Sequence, residues 1–548
     1  MDGEAVTDAK PGRAVVIATM VLLTAALAFE GLRPLADLDV WWHIRLGELM
    51  VQTSSLVPSD VFSYTRFGTP WPWKDWGTAL LLYGTWSLGG VTALVLLKGS
   101  MLVGTGALQW VQVRRARGVP LPAASLVVAV CMSAASFRFS ERGATVSLVI
   151  VAAIVLLIDR HRAGKPGLGW IVPLVVLNAN IHRGVLFVPV MLGVLACVEL
   201  VEAKGFGRAR AWRRSMLVAA LGGLAILVTP FGIRIITTTI ELMGQHSPLI
   251  TEWAPVEYGL VERLSPATLV LIPFVAVGGA ARAWTSRDPW DAAVVVLALG
   301  LGLQSIRHLP YIALLGAGPA ASGWAAVGQR IWEGRLSALL SIAPALGALL
   351  YLMGRPLPPP SFGLAPAHFP EKGVAFIESQ GLQGRMFNEF GYGGFLLFHL
   401  WPEHRVYIDG RTDLVYTPQM VERYIRSAHD PRVFAEEAAE HRFGFVIVDN
   451  SPMQGTFAHL DTNPQWALVH ASRRALIYVE RGGLNDALIE RLAYRWLWPH
   501  ALAQSVVAAD RAGHGREALA ELQRMRDEDP DNPYAEVAWR QIEQLRER

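Results

Sequence analysis

From Arg13 to Met353, apolar runs follow one another between polar breaks, and most are long enough to cross a bilayer. Roughly 17–25 apolar residues span the hydrocarbon core as a helix, and in lipid every backbone polar group must be bonded internally. Such a chain folds as a bundle of membrane helices. We place about eleven spans, near 13–31, 90–113, 120–137, 143–159, 169–180, 185–201, 214–230, 266–283, 289–306, 309–327 and 335–353. Segment 76–88 is shorter and aromatic and reads as interfacial. Only 17% of residues are charged, and the mean hydropathy of +0.33 is too high for an ordinary soluble enzyme. The net charge of +3 is spread along the chain, so no nucleic-acid partner is indicated. Cys131 and Cys197 lie inside apolar runs, which leaves no disulfide framework and no zinc spacing. No small-residue cleavage site follows the first run, which reads as a retained helix.

Basic residues set the orientation. With the N-terminus in the cytoplasm, the inner loops receive Arg114, Arg115 and Arg117, then Arg160 and Arg162, then Arg208, Arg210, Arg213 and Arg214. The outer side collects Asp37, Asp39, His43, Asp60, Arg138, Glu141, Arg142, His182, Arg183, Glu252, Arg307 and His308. An odd number of spans puts everything after about Arg355 outside. This is the arrangement of a multi-pass protein of the cytoplasmic (inner) membrane.

The expected organisation is a transmembrane domain over 1–354 with a first outer loop at 32–89, and a stiff Pro-rich linker at 355–365. A small α/β domain follows over 366–482. Its candidate strands are 385–388, 405–409, 443–449, 466–470 and 475–480; its candidate helices are 371–380, 417–427 and 431–441. The tail, 491–548, has the Ala-Leu spacing of a tetratricopeptide repeat, one and a half repeats at most, and offers a surface for a protein partner.

The densest chemistry lies just after the first span, in Asp39-Val-Trp-Trp-His43-Ile-Arg45. If helical, Asp39 and His43 share a face. Ionisable residues at a membrane boundary mark a site by default. The stretch resembles the first outer loop of the GT-C glycosyltransferases, most closely the prokaryotic oligosaccharyltransferase catalytic subunit. The similarity continues through Pro58-Ser-Asp60 and Pro70-Trp-Pro-Trp-Lys-Asp-Trp76. A second patch, from Gly373 to Asp413, is similar to the start of that family's outer domain. Glu389-Phe-Gly-Tyr392-Gly393 stands where the family has Trp-Trp-Asp-Tyr-Gly, and Arg405-Val-Tyr-Ile-Asp409-Gly-Arg411-Thr follows. Gly391 replaces the motif's Asp, so reading of a glycosylation sequon is not implied, whereas glycosyl transfer is. The resemblance implies a multispan domain, an outer soluble domain and an outward-facing site.

Transfer from a polyprenyl phosphate or diphosphate needs a neutralised leaving phosphate, an oriented or deprotonated acceptor and an apolar groove open to membrane lipid. Asp39 is the leading catalytic candidate, as metal ligand or base; its structural alternative is a helix N-cap. His43 divides evenly between substrate binding and interfacial anchoring. Most of Trp41, Trp42, Trp71, Trp73 and Trp76 read as an aromatic belt, with one or two stacking on a sugar. Glu141 either completes a site for Mg²⁺ or Mn²⁺ with Asp39 or pairs with Arg138 or Arg142. Glu252 is a third candidate ligand, or an ordinary loop acid. Arg307, His308, His182 and Arg183 are candidates for the donor phosphate, against snorkelling to headgroups. Tyr392, Asp409 and Arg411 are assigned to the acceptor side, or, for the last two, to a turn through Gly410. The expected function is a membrane glycosyltransferase using a polyprenyl-linked sugar donor on the outer face; the rival is a non-catalytic membrane scaffold. A transporter would carry its polar residues near mid-bilayer, and here they gather on one face.

Overall fold

A computed structural model describes residues 12–71, 75–203, 209–243, 255–257, 266–286, 288–332, 336–451, 453 and 455–546. The chain forms two compact units: Met1–Asp37 with Trp73–Gly363, and Leu38–Pro72 with Leu364–Arg548. The segment holding Asp39 and His43 therefore belongs to the unit that contains the C-terminal sequence.

The first unit is helical. Helices lie at Arg13–Gly31, Trp76–Val111, Leu121–Ala135, Gly143–Arg162, Ile171–Ile181, Phe187–Glu202, Ala209–Ala225, Pro266–Ser286, Pro289–Gly302, Leu309–Val327 and Ser337–Met353. Among the described residues, five segments are long and apolar enough to cross a membrane: Arg13–Gly31, Trp76–Ala116, Leu121–Arg138, Gly143–Arg162 and Pro266–Ser286. One buried cluster runs from Leu23 through Val127, Val151, Leu192 and Ile312 to Leu352. Lipid tails are as apolar as leucine, so close packing and polar contacts have to hold such helices together. A Cβ on Gly31 would collide with the Gly99 backbone, and one on Gly323 with the Gly278 carbonyl. The Trp76–Val111 helix is broken at Gly89 and Gly90, whose backbone angles are not helical. The aromatic segment 76–88 and the apolar run after it are thus separate rods. At one end of the bundle Arg117 binds Asp159 in a bidentate pair, with both N···O distances 2.7 Å, and also binds Asp291 at 2.7 Å; Arg282 shares Asp291.

The second unit is built on a four-stranded sheet, among the described residues, in the order β1-β2-β4-β3, with β1 Arg385–Asn388, β2 Phe443–Val448, β3 Trp466–Ala471 and β4 Leu476–Glu480. β1 and β2 are parallel; β2–β4 and β4–β3 are antiparallel. Both faces are covered, so β2 reads as an uninterrupted apolar run, Phe443–Val448, and is buried throughout. Helices Glu371–Gln380, Pro418–Ser427 and Pro431–His441 stand where the sequence places them.

The expected strand at 405–409 is not part of this sheet. Asn388, at the end of β1, accepts from the Tyr407 N–H at 2.8 Å and donates to the Ile408 carbonyl at 2.7 Å. Val406 forms an isolated bridge with Ser63, and Thr65 donates to the Tyr407 carbonyl. A side-chain amide and the 62–65 segment thus take the backbone groups that a neighbouring strand would have used. Three helices, Leu502–Arg511, Gly515–Glu528 and Pro533–Arg546, form the tail and bury Val506, Ala518, Leu522, Ala535 and Ile542.

Candidate functional site

In the second unit the two sequence patches come together. Asp39 occupies the N-cap position of helix Val40–Thr53, but its carboxylate makes no capping hydrogen bond. The carboxylate lies instead against Gly410, where a Cβ would overlap Oδ1. Gly394 is pressed on the Leu38 carbonyl and Gly393 on Ile408 and Asp409. The Glu389-Phe-Gly-Tyr-Gly-Gly stretch and the Asp409-Gly-Arg turn therefore cradle the Asp39 segment. A bare backbone is what lets them approach so closely. Arg45 continues the contact: it donates to the Phe398 carbonyl and lies over the Phe398 and Trp401 rings. Asp39 itself is half-buried.

His43 is buried, 5% exposed. One of its ring nitrogens is 3.0 Å from the Asp39 carbonyl oxygen, and the ring stacks on Trp42 with centroids 3.5 Å apart. This corrects the anchor reading. The belt reading also fails for Trp41, Trp42 and Trp71, which are 1%, 6% and 2% exposed. Trp41 packs against Phe369, Phe395 and Phe398, so these rings form the core of the second unit. Trp76 belongs to the first unit and donates to Asn180; Trp73 lies outside the described residues.

Arg411 and Asp409 are completely buried and bind each other through two N···O contacts of 2.8 and 2.6 Å. Arg411 also reaches Asp60 at 2.6 Å and lies over the Trp71 ring. Burial alone would raise the Asp60 carboxyl; Arg411, Ser63 and the Phe62 backbone outweigh it and hold the group below its usual range. Tyr392 is 2% exposed, and its hydroxyl lies 2.5 Å from Asp449 Oδ1 and 2.6 Å from the Arg474 carbonyl oxygen. Tyr392, Asp409 and Arg411, expected on the acceptor side, are thus held by partners within the protein. All three are enclosed, and Asp409 and Arg411 shape the turn against which Asp39 rests.

The first unit gathers a separate, basic group. Gly184 accommodates both the His182 ring and the Tyr311 hydroxyl, which a Cβ there would crowd. Tyr311 is 6.0 Å from His308 between ring centroids, and His308 is 3.1 Å from Ser305. Burial, with the charges of Arg307 and Arg138, pushes the His308 imidazole down to about 4. The fold thus brings His182, Arg307 and His308 together and adds Arg138 and Tyr311, which the sequence pattern did not assign to this group. Of Arg183, only its backbone position beside His182 is described.

Glu141 also lies in the first unit. Lys98 binds it at 2.8 Å, and Arg142 pairs with Asp37. Burial pushes the Glu141 carboxyl up, with Lys98 opposing and Asp37 adding to the rise. A divalent cation needs several hard oxygen ligands not already neutralised. Among the described residues, no group of three or more His, Cys, Asp or Glu could hold one. Glu252 lies outside the described residues. The donor set at Glu141 does not fit a metal. Lys98 escaped the sequence reading although a signal existed: a lysine inside an apolar run is costly and needs a partner.

No protein-family model and no curated protein matches the chain. Solved structures do. Oligosaccharyltransferase AglB from Archaeoglobus fulgidus, in complex with an inhibitory peptide and a dolichol-phosphate, superposes with a TM-score of 0.54 at 11% identity, covering 84% of this chain and 73% of that one. The same enzyme in complex with Zn and sulfate gives 0.53, again at 11% identity, over 85% and 73%. The chain has the GT-C fold. Arabinofuranosyltransferase AftD from Mycobacteria matches at 0.51 and 15% identity over 87% of this chain, which spans 40% of AftD. Identities this low speak for the fold; the chemistry has to come from the residues.

Proposed function

We propose that this protein is a membrane glycosyltransferase. It moves a sugar from a polyprenyl phosphate or diphosphate to an acceptor on the outer face of the cytoplasmic membrane. The observation that carries the reading is the seat of Asp39: a half-buried carboxylate that does not cap its helix and rests on the Asp409-Gly410-Arg411 turn. In the transfer, the bond between the sugar's anomeric carbon and the donor phosphate breaks, and a bond to the acceptor heteroatom forms. Asp39 orients the acceptor and takes its proton. The basic group of Arg138, Arg307 and His182 holds the leaving phosphate, and Arg183, next in sequence to His182, is assigned the same role. His308, neutral at pH 7, offers that phosphate a hydrogen bond without a further charge. The reading includes about eleven spans, a cytoplasmic N-terminus, an extracytoplasmic second unit and a tetratricopeptide-like tail that receives a protein partner.

Asp39→Asn tests it. Asn keeps the volume and the fit against Gly410 and loses the charge. Transfer of labelled sugar from lipid carrier should drop by roughly a hundredfold or more at unchanged abundance and thermal stability. Wild-type transfer by this variant would overturn the catalytic assignment and leave the scaffold reading. Arg307→Ala should raise the apparent KM for the lipid donor, an effect that an Arg merely snorkelling to headgroups would not produce.

A further inference from the structure

We infer that Lys98 is a resident cation at Glu141, standing where the family resemblance leads one to expect a divalent metal ion, so that this outer-loop acid holds no metal. The inference rests on the transferase reading only for the importance of Glu141; the pair itself stands on its own geometry.

Lys98 sits eight residues beyond the Gly90 break, in a helix otherwise apolar around it. Next to it, Gly99 lies against Gly31 with no room for a side chain on either glycine. That crossing brings the Lys98 ammonium to the end of helix Arg13–Gly31, where it donates to the Arg33 carbonyl at 2.9 Å. The same nitrogen lies 2.8 Å from Glu141 Oε1, and the two side chains are 7% and 2% exposed. An ammonium this deep in an apolar helix is tolerated only with a partner, and removing either member strands the other. The cavity beside the pair is lined by Thr78, Met101 and Ser140 together with Lys98, Glu141 and Arg142. A cation entering it meets two positive side chains and a single carboxylate that is already bound. Asp37, an acid close enough to act on Glu141, is held by Arg142.

Mn²⁺ binding to the purified full-length protein in detergent tests this, followed by electron paramagnetic resonance of the free ion. Two variants are compared with wild type: Glu141→Gln, and the double change Lys98→Met with Glu141→Leu. The double change removes both charges together and so avoids leaving either one buried alone. Superimposable Mn²⁺ titrations of wild type and whichever variant folds support the inference. A stoichiometric Mn²⁺ site in the wild type that is lost on changing Glu141 overturns it. The measurement reads metal occupancy without sugar transfer, so a failure here and a failure of the transferase reading are told apart.

Discussion

Asp39 and Gly410 are far apart in the chain and meet as carboxylate on bare backbone. Gly410→Ala should therefore destabilise the protein by about 1–3 kcal/mol, the range for overpacking a filled site. Asp39→Ala in the same chain should relieve most of that loss. A thermal-denaturation cycle of the two changes measures the coupling, and additive effects would mean that the carboxylate does not rest there. His470 sets a pH dependence. It is 5% exposed and stacked on Phe376, and burial, with Lys372 and Arg524 nearby, pulls its imidazole down to about 4, against an upward pull from Asp529. The unfolded chain binds the proton near pH 6.5, before the folded one does. Its contribution is therefore complete above about pH 6.5 and lost as pH falls toward 4, on the order of 2 kcal/mol at pH 5. His470→Phe should flatten the fall in Tm between pH 7 and 5, and an unchanged slope would rule His470 out as its source.

At the scale of elements, period and composition located most of the structure. The apolar runs became helices and β1, β2, β3 and β4 fell where alternation and β-branched residues placed them, because these patterns express local burial. The segment 405–409 shows the limit. Its Val-Tyr-Ile sequence suits a strand, yet its backbone partners are Asn388 and the 62–65 segment. Nothing local in Arg405–Asp409 reveals that. Asn388→Ala should leave the Tyr407 N–H and the Ile408 carbonyl without partners in a buried place. Each such group costs roughly 1–3 kcal/mol, so the second unit should lose a few kcal/mol and residues 405–412 should become open to limited proteolysis. Wild-type protease resistance would show that the 62–65 segment suffices to hold the turn.

For the whole molecule, orientation is the open consequence of the charge pattern. Met453 is 95% exposed in the second unit. Met453→Cys, with Cys131 and Cys197 replaced, should react with a membrane-impermeant maleimide from the outside. Reaction only after the inner face is made accessible would reverse the proposed topology.

A helical membrane bundle, a small α/β unit and a charged cluster after the first helix follow from the sequence alone, since hydropathy and alternation act over neighbouring residues. The resemblance also singled out Asp39, and position at the ends of apolar runs singled out the His182 and Arg307 pairs. What touches what was decided only in three dimensions. The tryptophans after Asp39 became core rings rather than a membrane belt, and Asp409, Arg411 and Tyr392 closed on buried partners. Glu141 found Lys98, a residue that lies 43 positions earlier in the chain and reaches it through a glycine crossing. Long-range pairing depends on which backbones can approach closely enough, and glycine contacts such as Gly31–Gly99 and Gly410–Asp39 leave no periodic trace in a sequence.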